Sequence, residues 1–412
     1  MSQPGPIIVV SSGEKLSFST ALSETRMFPL IDVIWPEAAQ AVEKLQPAAV
    51  LVAATEQTDP WLQKLADQVA TLQPYVPLLV VDPKLPLPIN GIPFSQTGGS
   101  IERLSARLRT ALRVRTLHAT VLRRLTDDAA TRMPLLQSDP AAEATVLLIG
   151  RGAAYPALSV ALGEQLGVVG ALSIEAAAKH LNARDVDGIV LGEGFSPRVV
   201  DAFLTVLAED ARFRNLPIVV AVPGLSPAYD LPNLEITSGE PVRIAADALP
   251  LIRQHAFEAR LSRTLSSIDS DGLLDSRTGL LTHPAFDRDF ATAVYQTATR
   301  GSALSVARFS FDRVSERIHL DAARIISRLM RRMDFATLQD DGSLLVVFAE
   351  TELREAQAIA KRLSSVMKHT MHGPKRDSRV EPQIALTALQ PQDSARSILG
   401  RLYAEDDRRA AS

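Results

Sequence analysis

The sequence predicts a multidomain protein of α/β and α+β type: two doubly wound domains, each a parallel sheet flanked by helices, then a smaller ferredoxin-like α+β domain. Three observations predict it. Short, wholly apolar runs of the kind buried in parallel sheets recur through residue 222, separated by amphipathic helical stretches. The pattern stops at a polar, proline-containing stretch, 134–143, and restarts, so the first two domains repeat one architecture. Beyond residue 270 an Asp-Gly turn between two strand-forming runs marks an antiparallel hairpin.

The elements follow in order. Buried strands are expected at 6–11, 48–53 and 77–81, with helix between them. From Ile101 to about Met133 the pattern is helical, with Leu104, Leu108 and Leu112 on one face; its many arginines read as a solvated face. This helix closes the first domain, 1–133. The second, 144–268, should carry strands at 144–149, 187–191 and 216–222 and a helix from about Arg198. An amphipathic helix, 250–269, bridges to the third domain, 270–412, and is a candidate for pairing in a homodimer. There the order reads strand 303–311, helix 321–333, a hairpin, helix 352–368, strand 380–389 and a short helix 395–404.

Composition narrows the function classes. The 412 residues are 46% hydrophobic and 22% charged, ordinary for a globular chain, and the net charge of −3 supplies no basic field for nucleic acid. The chain has no cysteine, which excludes disulfides and thiolate chemistry and fits a reducing compartment. The opening Met-Ser-Gln-Pro-Gly-Pro is not a signal peptide, and no apolar run is long enough to span a bilayer, so a cytoplasmic location is expected. Seven histidines show no metal-ligand spacing. Asp269–Asp275 lacks the later ligands of a calcium loop, 237–240 lacks the pattern of a phosphate loop, and Lys375-Arg376 reads as solvated.

The stretch with most chemistry is Arg331–Phe348. Arg331 and Asp334 stand three apart, a spacing that on a helical turn puts both heads on one side. A guanidinium fork beside a carboxylate suits an anionic ligand that also carries hydrogen-bond donors. The tetrapeptide alone fits an ordinary surface ion pair better than a ligand site.

Asp275-Ser276-Arg277-Thr278-Gly279-Leu280 with Pro284-Ala285-Phe286, then the hairpin, Glu350-Thr351 and a helix carrying Ala356, Ala360 and Arg362-Leu363, resembles the GGDEF domain of the diguanylate cyclase family over about 270–412. The upstream domains look like receiver (flavodoxin-like) domains, and the order receiver–receiver–GGDEF resembles cyclic-di-GMP signalling proteins of the PleD/PopA type. Against that family the signature is lost: Asp340-Asp341-Gly342-Ser343-Leu344 stands at the Gly-Gly-Asp-Glu-Phe positions, where the acidic residues hold Mg²⁺. The family's other metal-binding acid falls near Ser310, with Asp312 two further on, and the run that recognises guanine is missing between Asp312 and Arg331. The resemblance implies no catalytic residue, no metal and no enzymatic activity.

The family's inhibitory-site motif, Arg-x-x-Asp, is retained as Arg331–Asp334, five residues ahead of Asp340, and Arg362 matches a further arginine of that site. An arginine fork can take a phosphate or the O6/N7 edge of guanine, and Asp334 can accept from guanine N1–H and N2–H. The resemblance thus implies a cyclic-di-GMP receptor, with no other cofactor, acting through protein partners such as a proteolysis adaptor or polarity factor in a cell-cycle circuit, with a cell pole as one address. A nucleotide-independent scaffold and an active cyclase remain as rivals.

Both receiver-like domains lack the acids of phosphoryl transfer: Ser11-Ser12 and Ala53-Ala54 in the first, Gly150-Arg151 and Gly192 or Glu193 in the second. Neither is expected to be phosphorylated. Glu193 is either a fixed mimic of a charged state or an ordinary loop glutamate.

Overall fold

The computed structural model describes residues 5–14, 16–53, 59–83, 87–95, 101–125, 138–222, 225, 229–300, 302–312, 314–370 and 380–410. Ala54, Met133, the 134–137 part of the linker and Lys375-Arg376 lie outside them. The chain forms two compact units: one of Met1–Ala177 and Val186–Leu261, the other of Ala178–Asp185 and Ser262–Ser412.

The first unit holds two five-stranded parallel sheets. The first is built from β1 (Ile7–Ser11), β2 (Leu30–Ile34), β3 (Ala49–Ala53), β4 (Leu78–Val81) and β5 (Gly91–Phe94), in the order β2-β1-β3-β4-β5. The helices are α1 (Ser17–Thr25), α2 (Trp35–Leu45), α3 (Asp59–Ala70) and α4 (Ile101–Arg124). The second repeats the plan: β6 (Thr145–Ile149), α5 (Tyr155–Gly163), β7 (Gly167–Ala171), α6 (Ile174–Ala183), β8 (Gly188–Leu191), α7 (Pro197–Glu209), β9 (Ile218–Val220), β10 (Leu234–Ile236) and α8 (Pro241–Asp269), with strands ordered β7-β6-β8-β9-β10. Both are the flavodoxin-like order 2-1-3-4-5, with a switch point between the first and third strands. The apolar runs read from sequence are the central strands, buried on both faces as parallel strands must be. The outer strands β2, β5, β7 and β10 were not anticipated: Asp32 and Glu235 interrupt β2 and β10, and β5 and β7 carry proline or glycine, which weaken the strand signal.

Three of the seven α4 arginines are a correction: Arg109, Arg113, Arg123 and Arg124 are exposed as expected, while Arg103, Arg107 and Arg115 turn inward. Arg107 is fully buried and spends its guanidinium on the carbonyls of Pro232 (2.5 Å), Pro93 (2.6 Å) and Leu234 (2.9 Å), with Glu235 at 3.3 Å. Glu235 also accepts the Ser95 N–H at 2.9 Å. Arg103 donates to Leu234 O and Arg115 to Pro74 O and Tyr75 O. A planar five-donor fork satisfies carbonyls that two outer strands leave open; the helix turns these residues toward a neighbouring sheet, which its own periodicity does not reveal.

Helix α8 begins at Pro241, nine residues before the expected start, and Pro250 lies within it. Pro250 resembles a first-turn proline in sequence, but Pro241 holds that place.

The second unit has one antiparallel sheet, ordered β12-β13-β11-β14, from β11 (Leu304–Ser310), β12 (Phe335–Leu338), β13 (Leu344–Ala349) and β14 (Gln383–Ala388). With α10 (Glu316–Leu329) and α11 (Leu353–Thr370) the order is β-α-β-β-α-β, as a ferredoxin-like core requires; α9 (His283–Arg300) precedes it and α12 (Ala395–Ala410) follows. Ile318, Ala322, Ile325 and Ile326 line the buried face of α10. That helix starts five residues before, and ends four residues before, the expected 321–333.

Candidate functional site

Helix α10 ends at Leu329, and Met330 is already extended (φ −65°, ψ 151°). The chain then turns through Arg331–Asp334, where the Asp334 N–H donates to Arg331 O at 3.1 Å. The motif therefore sits on a β-turn and not on a helical turn, because Phe335 must leave the helix direction to pair with Val347.

The two heads meet different surroundings. Asp334 is 7% exposed, and its Oδ1 accepts the Ala349 N–H at 3.2 Å, which ties the turn to the end of β13. Burial pushes its carboxyl above the usual carboxylate range, while the Ala349 bond and the Arg331 charge hold it partly back. Arg331 is 46% exposed and donates to Glu355 at 3.1 Å. Glu355 lies in the first turn of α11, and Arg362, also exposed, follows seven residues later. Seven residues are two helical turns, so Arg362 shares the face of Glu355 about 10 Å along the axis. Arg331 thus stands at the foot of the face that carries Arg362, and Asp334 braces the turn.

The hairpin turn behind the motif is closed by Gln339 N–H to Ser343 O (2.8 Å) and Gly342 N–H to Gln339 O (2.9 Å). Gly342 has φ +79°, and a Cβ there would run into the ring of His319 on α10. Asp341 accepts from Ser343 N–H (2.8 Å), Ser343 Oγ–H (2.6 Å) and Arg308 Nη2 (2.6 Å). Burial pushes the Asp341 carboxyl up, but those bonds outweigh it and hold the group below its ordinary value. Arg308 also donates to Ser343 Oγ and lies over the Tyr403 ring, 4.8 Å from its centroid. Ser310 ends β11, and Asp312 accepts from Gln383 at 2.9 Å. Asp275 braces its own loop by accepting from Thr278 N–H and Oγ–H.

Sequence reasoning missed Arg308, His319 and Glu355. The position of Arg308 held a signal, since a charged residue in an otherwise apolar strand asks for a partner. Glu355 held none, being one acid on a charged helix.

At the second sheet's switch point, Glu193 O accepts the Arg151 and Gly152 N–H groups, and Arg151 Nε donates to Gly194 O at 2.8 Å. The Arg151 guanidinium stacks on Phe195, 5.2 Å from its centroid, while Glu193 is exposed. In the first sheet Ser11 Oγ accepts the Gly13 N–H, and Asp32 accepts from Ser19.

No family model matches the chain, and no curated protein matches it. Among solved structures, the coiled coil and GGDEF domain of DgcB from Caulobacter crescentus in complex with c-di-GMP is 17% identical, covering 36% of this chain and 87% of that one at a TM-score of 0.31. The FimX GGDEF domain from Pseudomonas aeruginosa is 17% identical, covering 33% and 92% at a TM-score of 0.30. Diguanylate cyclase SiaD in complex with its activator SiaC, also from Pseudomonas aeruginosa, is 16% identical, covering 37% and 67% at 0.31. These likenesses reach about a third of the chain at low identity, and no assignment rests on them. Among the described residues no helix is long and apolar enough to cross a membrane, and no cluster of three or more His, Cys, Asp or Glu side chains could hold a metal ion.

Proposed function

We propose that this chain is a catalytically inactive, GGDEF-like receptor for cyclic di-GMP, preceded by two receiver-like domains that serve as interaction surfaces. One observation carries the reading: Arg331 stands exposed at the foot of the helix face bearing Arg362, while the acid of the neighbouring turn is taken up by Arg308. The first pair offers guanidinium forks to phosphate or guanine. The second commits Asp341 to Arg308 and Ser343, which supports a turn that holds no metal. In the second receiver-like domain Arg151 stands in place of an acid and donates to Gly194 O, which supports domains that act without phosphorylation. A protein partner, of adaptor or polarity-factor type, would then read the liganded state, and a homodimer fits the long α8.

Isothermal titration of the full chain with cyclic di-GMP tests this. Saturable heat is expected, weakened at least ten-fold, about 1.4 kcal/mol, in Arg331→Ala and in Arg362→Ala. Arg331→Lys should fare little better, since a point donor cannot replace the fork. Wild-type affinity in Arg331→Ala would remove the site.

Asp334's burial and the Arg331–Glu355 ion pair favour a second reading, a nucleotide-independent scaffold in which the motif only holds the turn. That reading expects a melting temperature indifferent to cyclic di-GMP, whereas a ligand of the folded state must raise it. Turnover of GTP with Mg²⁺ would overturn both.

A further inference from the structure

Within the first unit, a cavity of about 340 Å³ opens between α4, the loop after α3, and α8. Its walls are apolar, chiefly Val69, Leu72, Val76, Ile92, Leu122 and Phe257. Polar side chains on the lining are Tyr75, His118, Arg253 and Gln254, with Gln73, Asn90 and Ser138 beside them; no Asp or Glu is among the described lining residues, and Asp139, between Ser138 and Pro140, pairs with Arg253.

Tyr75, His118, Arg253 and Gln254 each carry a donor. Gln254 is 8% exposed, and its buried Nε2 has no partner within hydrogen-bond geometry, the Tyr75 hydroxyl being its polar neighbour. A buried donor without a partner is destabilising, and a leucine would avoid that cost if packing were the only demand. His118 Nδ1 accepts the Tyr75 N–H at 2.9 Å, which leaves the ring proton on Nε2 as a donor. Burial, with the Arg115 charge, pushes this imidazole down to about 4, so it is neutral at pH 7. Burial holds the Tyr75 hydroxyl protonated, well above its ordinary value. Both rings pack edge-on against Phe257, with centroids 5.1 and 5.6 Å away, and Asp139 fixes Arg253 through its Nε at 2.8 Å. The cavity therefore pairs apolar walls with hydrogen-bond donors and one cation.

We propose that this cavity is a binding site for a small carboxylic acid with an apolar body. The carboxylate would take the Gln254 amide and the Arg253 charge, and the body would lie against Val69, Leu122 and Phe257. Scaled from the 150 Å³ cavity that holds benzene, the space fits about a dozen heavy atoms. A straight-chain acid and an aromatic acid meet this description equally, and the site is separate from the Arg331 motif.

Titration calorimetry on the full chain, with decanoate, indole-3-acetate and 1-decanol as separate probes, decides it. At least one acid should bind 1:1, and decanol at least ten-fold more weakly. Decanoate alone would mark a straight-chain site; indole-3-acetate alone would mark an aromatic one. Gln254→Leu should weaken the acid at least ten-fold. Ile89→Trp, a filling change at a residue 50% exposed on the rim, should abolish binding without unfolding the chain and serves if Gln254→Leu misfolds. Both variants should keep the wild-type response to cyclic di-GMP, so failure here is distinguishable from failure of the receptor reading. The proposal is overturned by no saturable heat from either acid, by decanol matching decanoate, or by undiminished binding in folded Gln254→Leu or Ile89→Trp.

Discussion

On the receptor reading, Glu355 competes with a bound anion for Arg331. The pair is half exposed on both sides, and such surface pairs are worth about 0–1 kcal/mol. Glu355→Gln removes a competitor and a like charge from the approach of a phosphate. Titration should show cyclic di-GMP binding up to about five-fold tighter in that variant. Weaker binding would mean that Glu355 holds Arg331 in place for the ligand. At this scale the sequence was legible for Arg331, Asp334 and Arg362 as a spacing. It was silent on Asp334's burial, because the group that engages it, Ala349 N–H, lies fifteen residues on in another strand.

The hairpin shows what an element can and cannot disclose about itself. Asp-Gly between apolar runs announced the turn, and β12 and β13 pair around it. Its tightest constraint comes from another element: His319 on α10 fills the space a side chain at 342 would need. Gly342→Ala should cost about 1–3 kcal/mol, part from the positive φ and part from the ring. Chemical denaturation should show the loss, and His319→Ala in the same chain should restore part of it. An additive pair of effects would separate the two residues. The helix ends of α8 and α10 misled for the same reason. Pro250 looks like a start, and Arg331–Met333 look helical, until Pro241 and the pairing of Phe335 fix the boundaries.

At the scale of the whole molecule, two doubly wound parallel domains and one antiparallel one were foreseen, and the chain has two parallel sheets and one antiparallel sheet. The solvated face of α4 holds for Arg109, Arg113, Arg123 and Arg124 but not for Arg107, whose burial depends on carbonyls from about 125 residues away. Arg107→Met should destabilise the first unit by about 3–5 kcal/mol, since it strands the Pro93 and Pro232 carbonyls and takes the buried cation from Glu235. Thermal unfolding followed by circular dichroism measures it; a loss under 1 kcal/mol would mean that water replaces the guanidinium freely.

The same guanidinium has a consequence for solubility. A parallel sheet normally presents two borders at which a foreign peptide can be templated. Here Arg107 and Arg103 take the Pro93 carbonyl of β5 and the Leu234 carbonyl of β10, and Glu235 takes the Ser95 N–H just past β5, so one flank of each layer is partly occupied from within. Templating of a foreign peptide is expected first at the opposite flanks, β2 and β7.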